Sequence, residues 1–171
     1  MNDGTATPPG YRLGEDPAEL DLDRVHHWLS TDAYWALGRP RDVVARAVAG
    51  SSGVAGIYRE APAEGPDGTA AQQVAFARIV SDGATFAWLC DVYVDPAHRG
   101  HGLGRWLARW SVEWIAARDI KRAVLATWDA HGVYETAGYR PVAVPSRWME
   151  IDLRPGRPTA EPQPRTVERA P

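Results

Sequence analysis

Cysteine is nearly absent: the 171-residue chain has one, Cys90. A single thiol closes no internal disulfide and no multi-cysteine metal site, so stability must come from a packed core, and no metal centre is expected. Lysine also occurs once, at Lys121, leaving arginine as the working cation among 19 basic residues. No uninterrupted apolar run approaches the roughly 20 residues that span a bilayer. The N-terminus MNDGTATPPG has neither the basic nor the apolar region of a signal peptide. A cytoplasmic protein with no membrane partner is the expectation. The net charge is −3, and residues 154–171 are net basic, so the rest of the chain is more acidic than the whole. That balance argues against a nucleic-acid partner, because phosphate neutralisation needs clustered cations. A cationic small substrate fits it better.

What is present reads as one globular domain, with 44% hydrophobic and 24% charged residues in a length that supports a single core. The tail from 154 to 171 holds five prolines and no apolar periodicity, and is expected to be disordered. The organisation expected is a flexible leader over 1–10, a domain over 11–153 and that tail. Tyr11, Arg12 and Leu13 are a first short strand. Asp21 or Asp23 can cap a helix whose apolar stripe is Leu22, Val25, Trp28 and Leu29, and Pro40 stands at the start of a second helix carrying Val43, Val44, Ala47 and Val48.

Residues 54–60 and 72–80 read as strands around the loop APAEGPDGTAA, and a turn at Ser81, Asp82 and Gly83 leads into a third over 85–94. Leu103, Trp106, Leu107, Trp110 and Trp114 recur at helical spacing. Residues 123–127 form another strand, 132–137 a short helix ended by Gly138, and 139–144 with 148–153 two last strands. The fold class expected is α/β of the α+β type: a mixed, mostly antiparallel sheet of six to seven strands flanked by helices.

The most informative stretch is the strand ending Val92, Tyr93 and Val94 and the glycine-rich loop Arg99-Gly100-His101-Gly102-Leu103-Gly104 that opens the following helix. Glycines at a helix start present bare N–H groups together with the positive end of the helix, which suits phosphate. A P-loop lacks its Gly-Lys-Ser/Thr here, and a dinucleotide fingerprint needs G-x-G-x-x-G in a parallel unit, whereas this spacing is G-x-G-x-G after antiparallel strands.

The loop resembles the Arg/Gln-x-x-Gly-x-Gly/Ala phosphate loop of the GNAT superfamily of acyl-CoA-dependent N-acyltransferases. Val133-Tyr134-Glu135-Thr136-Ala137-Gly138-Tyr139 is similar to its second block, LYxxxGF. The resemblance covers residues 11–153. It departs at Thr127, where the family often has asparagine, and in the 85–94 strand, which lacks a glutamate. It implies an N-acetyltransferase moving an acetyl group from acetyl-CoA to a primary amine in a ternary complex. Cofactor binding would fall to Val92, Tyr93, Val94, Arg99, Gly100, His101, Gly102, Leu103, Gly104 and Arg105, with Tyr134 as general acid. The alternative is a module of the same fold that binds acyl-CoA as a sensor or scaffold; retention of Tyr134 favours the enzyme.

The reaction would need an ammonium of pKa about 10.4 to lose a proton and a thiolate of pKa about 8.5 to regain one. Asp91, the single carboxylate on the strand before the loop, is the candidate base or ammonium anchor, its pKa raised by desolvation; its alternative reading is an arginine partner. Cys90 is expected to alternate away from it. His131 is the second candidate base. Trp28, Trp35, Trp88 and Trp128 are candidates for an acceptor pocket that holds a cationic amine by cation–π contact. The acceptor is expected to be an amine of a small molecule or of a protein, with the small molecule favoured, and a homodimer is compatible with everything above.

Overall fold

The computed structural model describes residues 7–60 and 71–153. The first six residues, the loop after the second strand and the proline-rich tail lie outside the described residues. Five strands form one sheet in the order β1 to β5: β1 (Tyr11–Gly14), β2 (Gly53–Arg59), β3 (Gln72–Ser81), β4 (Ala87–Val94) and β5 (Ala123–Val124). The first four pair antiparallel and β5 joins β4 in parallel. The helices are α1 (Leu22–Thr31), α2 (Arg41–Ala49), α3 (Leu103–Ala116) and α4 (His131–Glu135). The expected fold is present with five strands rather than six or seven.

Alternation along β3 divides the molecule into layers. Phe76 enters one core with Val25, Trp28 and Leu29 of α1 and Val44 and Val48 of α2, while Ala75, Ala77 and Ile79 enter another with Leu103, Leu107, Trp110 and Trp114 of α3. Small residues on the α3 side leave room for its tryptophans. Gly53 is the tightest case, since a Cβ there would stand 2.7 Å from Trp114 Nε1. Asp21, one of the two expected caps, closes the start of α1 by accepting from the Arg24 N–H at 2.9 Å.

Residues 141–153 belong to a unit separate from residues 7–140. Its described part is a single 3-10 turn, Pro145–Arg147, with no strand. The two strands expected over 139–144 and 148–153 are therefore not formed. Pro141 and Pro145 each remove a ladder donor and restrict the residue before them, and Trp148 donates its N–H back to the Pro145 carbonyl rather than to a neighbouring strand.

Candidate active site

β4 carries a bulge that decides where its side chains go. Arg78 opposes Cys90 and Phe76 opposes Tyr93, so Asp91 and Val92 together face the single residue Ala77. Asp91 takes φ +50°, an unusual backbone for a residue with a Cβ. Before the bulge Ala87 and Leu89 face α3; after it Val92 and Val94 do, and Tyr93 turns to α1. Cys90 and Asp91 consequently share the face of α1 and α2, which corrects the expectation that they alternate. Without the extra residue, the Asp91 carboxylate would point into the apolar α3 core.

Instead the carboxylate, 6% exposed, is held on three sides. Arg78 Nε donates to Oδ2 at 2.6 Å, Arg39 Nη1 donates to the same oxygen at 2.8 Å, and Trp35 Nε1 donates to Oδ1 at 3.0 Å. Burial pushes the carboxyl pKa up, but Arg78 and then Arg39 outweigh it and hold the group below the usual carboxylate range. The expected upward shift is overturned, and the alternative reading of Asp91 as an arginine partner is the one the geometry has. The Cys90 thiol beside it is pushed up to about 11 by burial.

Trp35 packs edge-on against Tyr34 with ring centroids 4.9 Å apart, and Trp128 stacks on Tyr34 at 5.8 Å. The Trp128 N–H donates to the Tyr34 hydroxyl at 3.2 Å. Trp35 and Trp128 thus form one aromatic wall beside Asp91, with Trp128 85% exposed. Trp28 lies elsewhere, stacked on Tyr93 and lining a cavity of about 570 Å³ with Asp21, His27 and Asp32. Trp88 stands at the far end of β4 opposite Val124, 43% exposed.

At the other end of β4, Gly100 and Gly102 adopt φ of +83° and +81°, and a Cβ on either would meet nothing within 4 Å. Gly102 is the N-cap of α3 and supplies no side-chain cap, so the first N–H groups of the helix stay open beside Arg99 and Arg105. β5 pairs only with Ala87 and Trp88, so β4 from Leu89 to Val94 has no strand partner on that edge among the described residues. Asp32 accepts from the Tyr93 hydroxyl at 2.7 Å and pairs with Arg99 at 3.5 Å, while Arg99 Nε donates to the Val94 carbonyl. His98 is buried, with Nδ1 3.0 Å from the Tyr11 hydroxyl. His101 Nδ1 donates to the carbonyls of His98 and Arg99, which directs its other nitrogen outward.

Tyr134 is buried in the α3 core, edge-on to Tyr139, and burial, with Tyr139, Tyr34 and Asp129 adding, pushes its hydroxyl up to about 12. His131 is exposed at the first position of α4. A Cβ on Gly104 would lie 3.7 Å from Val133 and 4.0 Å from Val94, so the end of β4, the start of α3 and α4 converge there.

Residues 22–139 match the model of the acetyltransferase (GNAT) family. The chain belongs to that family. It is 35% identical over 130 residues to a protein of Gibberella zeae whose name is "Putative acetyltransferase FG08082", covering 70% of this chain and 72% of that one. A crystal structure of a GNAT-family protein from Xanthomonas campestris superposes with a TM-score of 0.68 at 37% identity, covering 86% and 96% of the two chains. Similarity also extends to the soybean histone acetyltransferase TAP1, 33% identical over 124 residues, which are 72% of this chain and 52% of that protein. Tyr34, Arg39 and Arg78 escaped the sequence reading, although Arg78 is the lone charge in the β3 run and so carried a signal.

Proposed function

We propose that this acetyltransferase moves an acetyl group from acetyl-CoA to a primary amine of a small molecule by direct attack in a ternary complex. The observation that carries the reading is the convergence at Gly104, where the open edge of β4, the uncapped start of α3 and the helix bearing Tyr134 meet. The left-handed glycines and bare N–H groups fit pyrophosphate, and the edge of Val92 to Val94, which has no strand partner among the described residues, fits the amides of an extended pantetheine arm. When bound, acyl-CoA supplies the activated thioester.

This chain's own residues do the rest. Gly102, Leu103, Gly104 and Arg105 hold the phosphates, with Arg99 and His101 flanking them. Val92 and Val94 align the arm through their backbone groups, and Tyr93 braces α1 through Asp32. Holding two reactants in place supplies up to about 7–11 kcal/mol of the barrier reduction. Tyr134 stays protonated through the physiological range and gives its proton to the departing thiolate. Asp91, kept charged by its arginines, positions the acceptor side rather than accepting a proton. His131 is then the remaining base candidate.

Tyr134→Phe tests the reading, because it removes one hydroxyl and almost no volume. With thiol release as the assay, kcat and kcat/KM are expected to fall together by about 10²- to 10⁴-fold, with acetyl-CoA KM unchanged. No alkaline limb from this group should appear near pH 10, since its pKa lies at about 12. Wild-type kcat in the variant would make Tyr134 a packing residue. Acetyl-CoA binding without turnover on any amine would leave a binding module.

A further inference from the structure

Resting on that reading, the charge of the acceptor side narrows the substrate class. Two guanidiniums meet one carboxylate: Arg39 and Arg78 each spend one N–H group on Asp91 Oδ2, while Oδ1 is taken by Trp35. Asp91 is the one carboxylate within ion-pair distance of either guanidinium among the described residues, so the cluster carries one positive charge in excess. The side chains are partly open, 22% exposed for Arg39 and 15% for Arg78, and neither guanidinium has another partner among the described residues. Each arginine therefore keeps donors in a planar fork suited to a carboxylate.

The aromatic wall links this positive end to the reacting end. Tyr34 packs edge-on against Trp35 and stacks on Trp128, whose N–H donates to its hydroxyl, and Asp129 follows Trp128 in the segment that leads into α4 and Tyr134. Positive charge thus sits at one end of the wall and a carboxylate at the other. We infer that Arg39 and Arg78 form an anion-binding subsite, and that the acceptor is an amino acid whose carboxylate pairs with them while its amine is presented beside Tyr134. A polycation such as a polyamine or a lysine-rich histone tail would set its distal ammonium groups against the guanidiniums.

The test is thiol release with acetyl-CoA against free α- and ω-amino acids, their methyl esters, spermidine and a histone H3 tail peptide, in wild type, Arg39→Gln and Arg39→Lys. Arg78 still pairs Asp91 in both variants, so the fold is retained. Free amino acids should be preferred to their esters. Arg39→Gln should raise the amino acid KM by about 10- to 100-fold, leave ester KM and acetyl-CoA KM unchanged, and be partly rescued in Arg39→Lys. Calorimetry with N-acetylglycine, N-acetylphenylalanine and their methyl esters reads the subsite without turnover, and binding should need both the free carboxylate and Arg39. Equal use of acids and esters, or preference for spermidine or the peptide, would overturn the inference and leave N-acetyl transfer standing. Carboxylate-dependent product binding without thiol release from any amine would support the subsite while the transferase reading fell. Absence of that binding together with inert amines would remove both.

Discussion

The glycine loop proposed to hold phosphate and the arginine cluster stand at the two ends of the last stretch of β4, and they are built in opposite ways. The loop is built from backbone: Gly100 and Gly102 take left-handed dihedrals, and the N–H groups proposed to bind phosphate lie at the start of α3. The cluster works through side chains gathered from far apart in the chain, Trp35 and Arg39 between the first two helices, Arg78 on β3 and Asp91 at the bulge. A backbone site is encoded by contiguous residues. A side-chain site exists only once the sheet has formed.

The largest effect should come from breaking the cluster. Asp91→Asn leaves two partly buried guanidiniums without their counter-charge, which costs about 3–5 kcal/mol. Because the folded carboxyl lies below its ordinary value, its contribution is complete above the unfolded pKa of about 3.9 and is lost as pH falls below it. Urea denaturation should therefore show wild type losing stability more steeply than the variant as pH falls below about 4. A loss under about 1 kcal/mol at pH 7 would mean that the arginines find water or other partners readily.

A smaller effect is expected in the loop. A Cβ at Gly102 meets nothing within 4 Å, so the main penalty of Gly102→Val is the left-handed backbone of a β-branched residue, about 1–3 kcal/mol. The strain falls on the N-cap of α3, and acetyl-CoA affinity measured by calorimetry should drop more than the melting temperature implies. Unchanged affinity in the folded variant would place the phosphates elsewhere.

That contrast also explains what was legible in the sequence. Apolar runs bounded by turn residues found β2 and β3, which are buried on both faces, and β4 after them, while helical spacing found α3 because it reports one buried face. Glycine spacing found the loop, since those φ values are what glycine allows. The bulge was hidden: Asp91 at φ +50° is not a residue that announces a left-handed backbone, and strict alternation sent Cys90 to the wrong side. Arg39 was hidden too, since its loop has no period and its partner lies 52 positions away. The segments 139–144 and 148–153 misled by having strand composition with prolines that deny them a ladder.

The smallest effect tests whether the loop, although built from backbone, leans on a side chain from the opposite edge of the sheet. The buried His98 precedes Arg99 directly, and its Nδ1 lies 3.0 Å from the hydroxyl of Tyr11 on β1. The Tyr11 ring packs edge-on against His98 at 5.8 Å and tilted against His101 at 5.9 Å, so ring contact holds the loop whether or not the hydroxyl is present. Tyr11→Phe keeps those contacts and removes one hydrogen bond, a loss of about 0.5–1.5 kcal/mol. Stability by urea melts should fall by that amount, with acetyl-CoA affinity falling a few-fold at most. Tyr11→Ala, which takes away the ring as well, should cost clearly more in both readouts. If the alanine variant binds acetyl-CoA as tightly as wild type, the loop keeps its shape through its glycines alone, and the division between a backbone site and a side-chain site is sharper than the contacts of Tyr11 suggest.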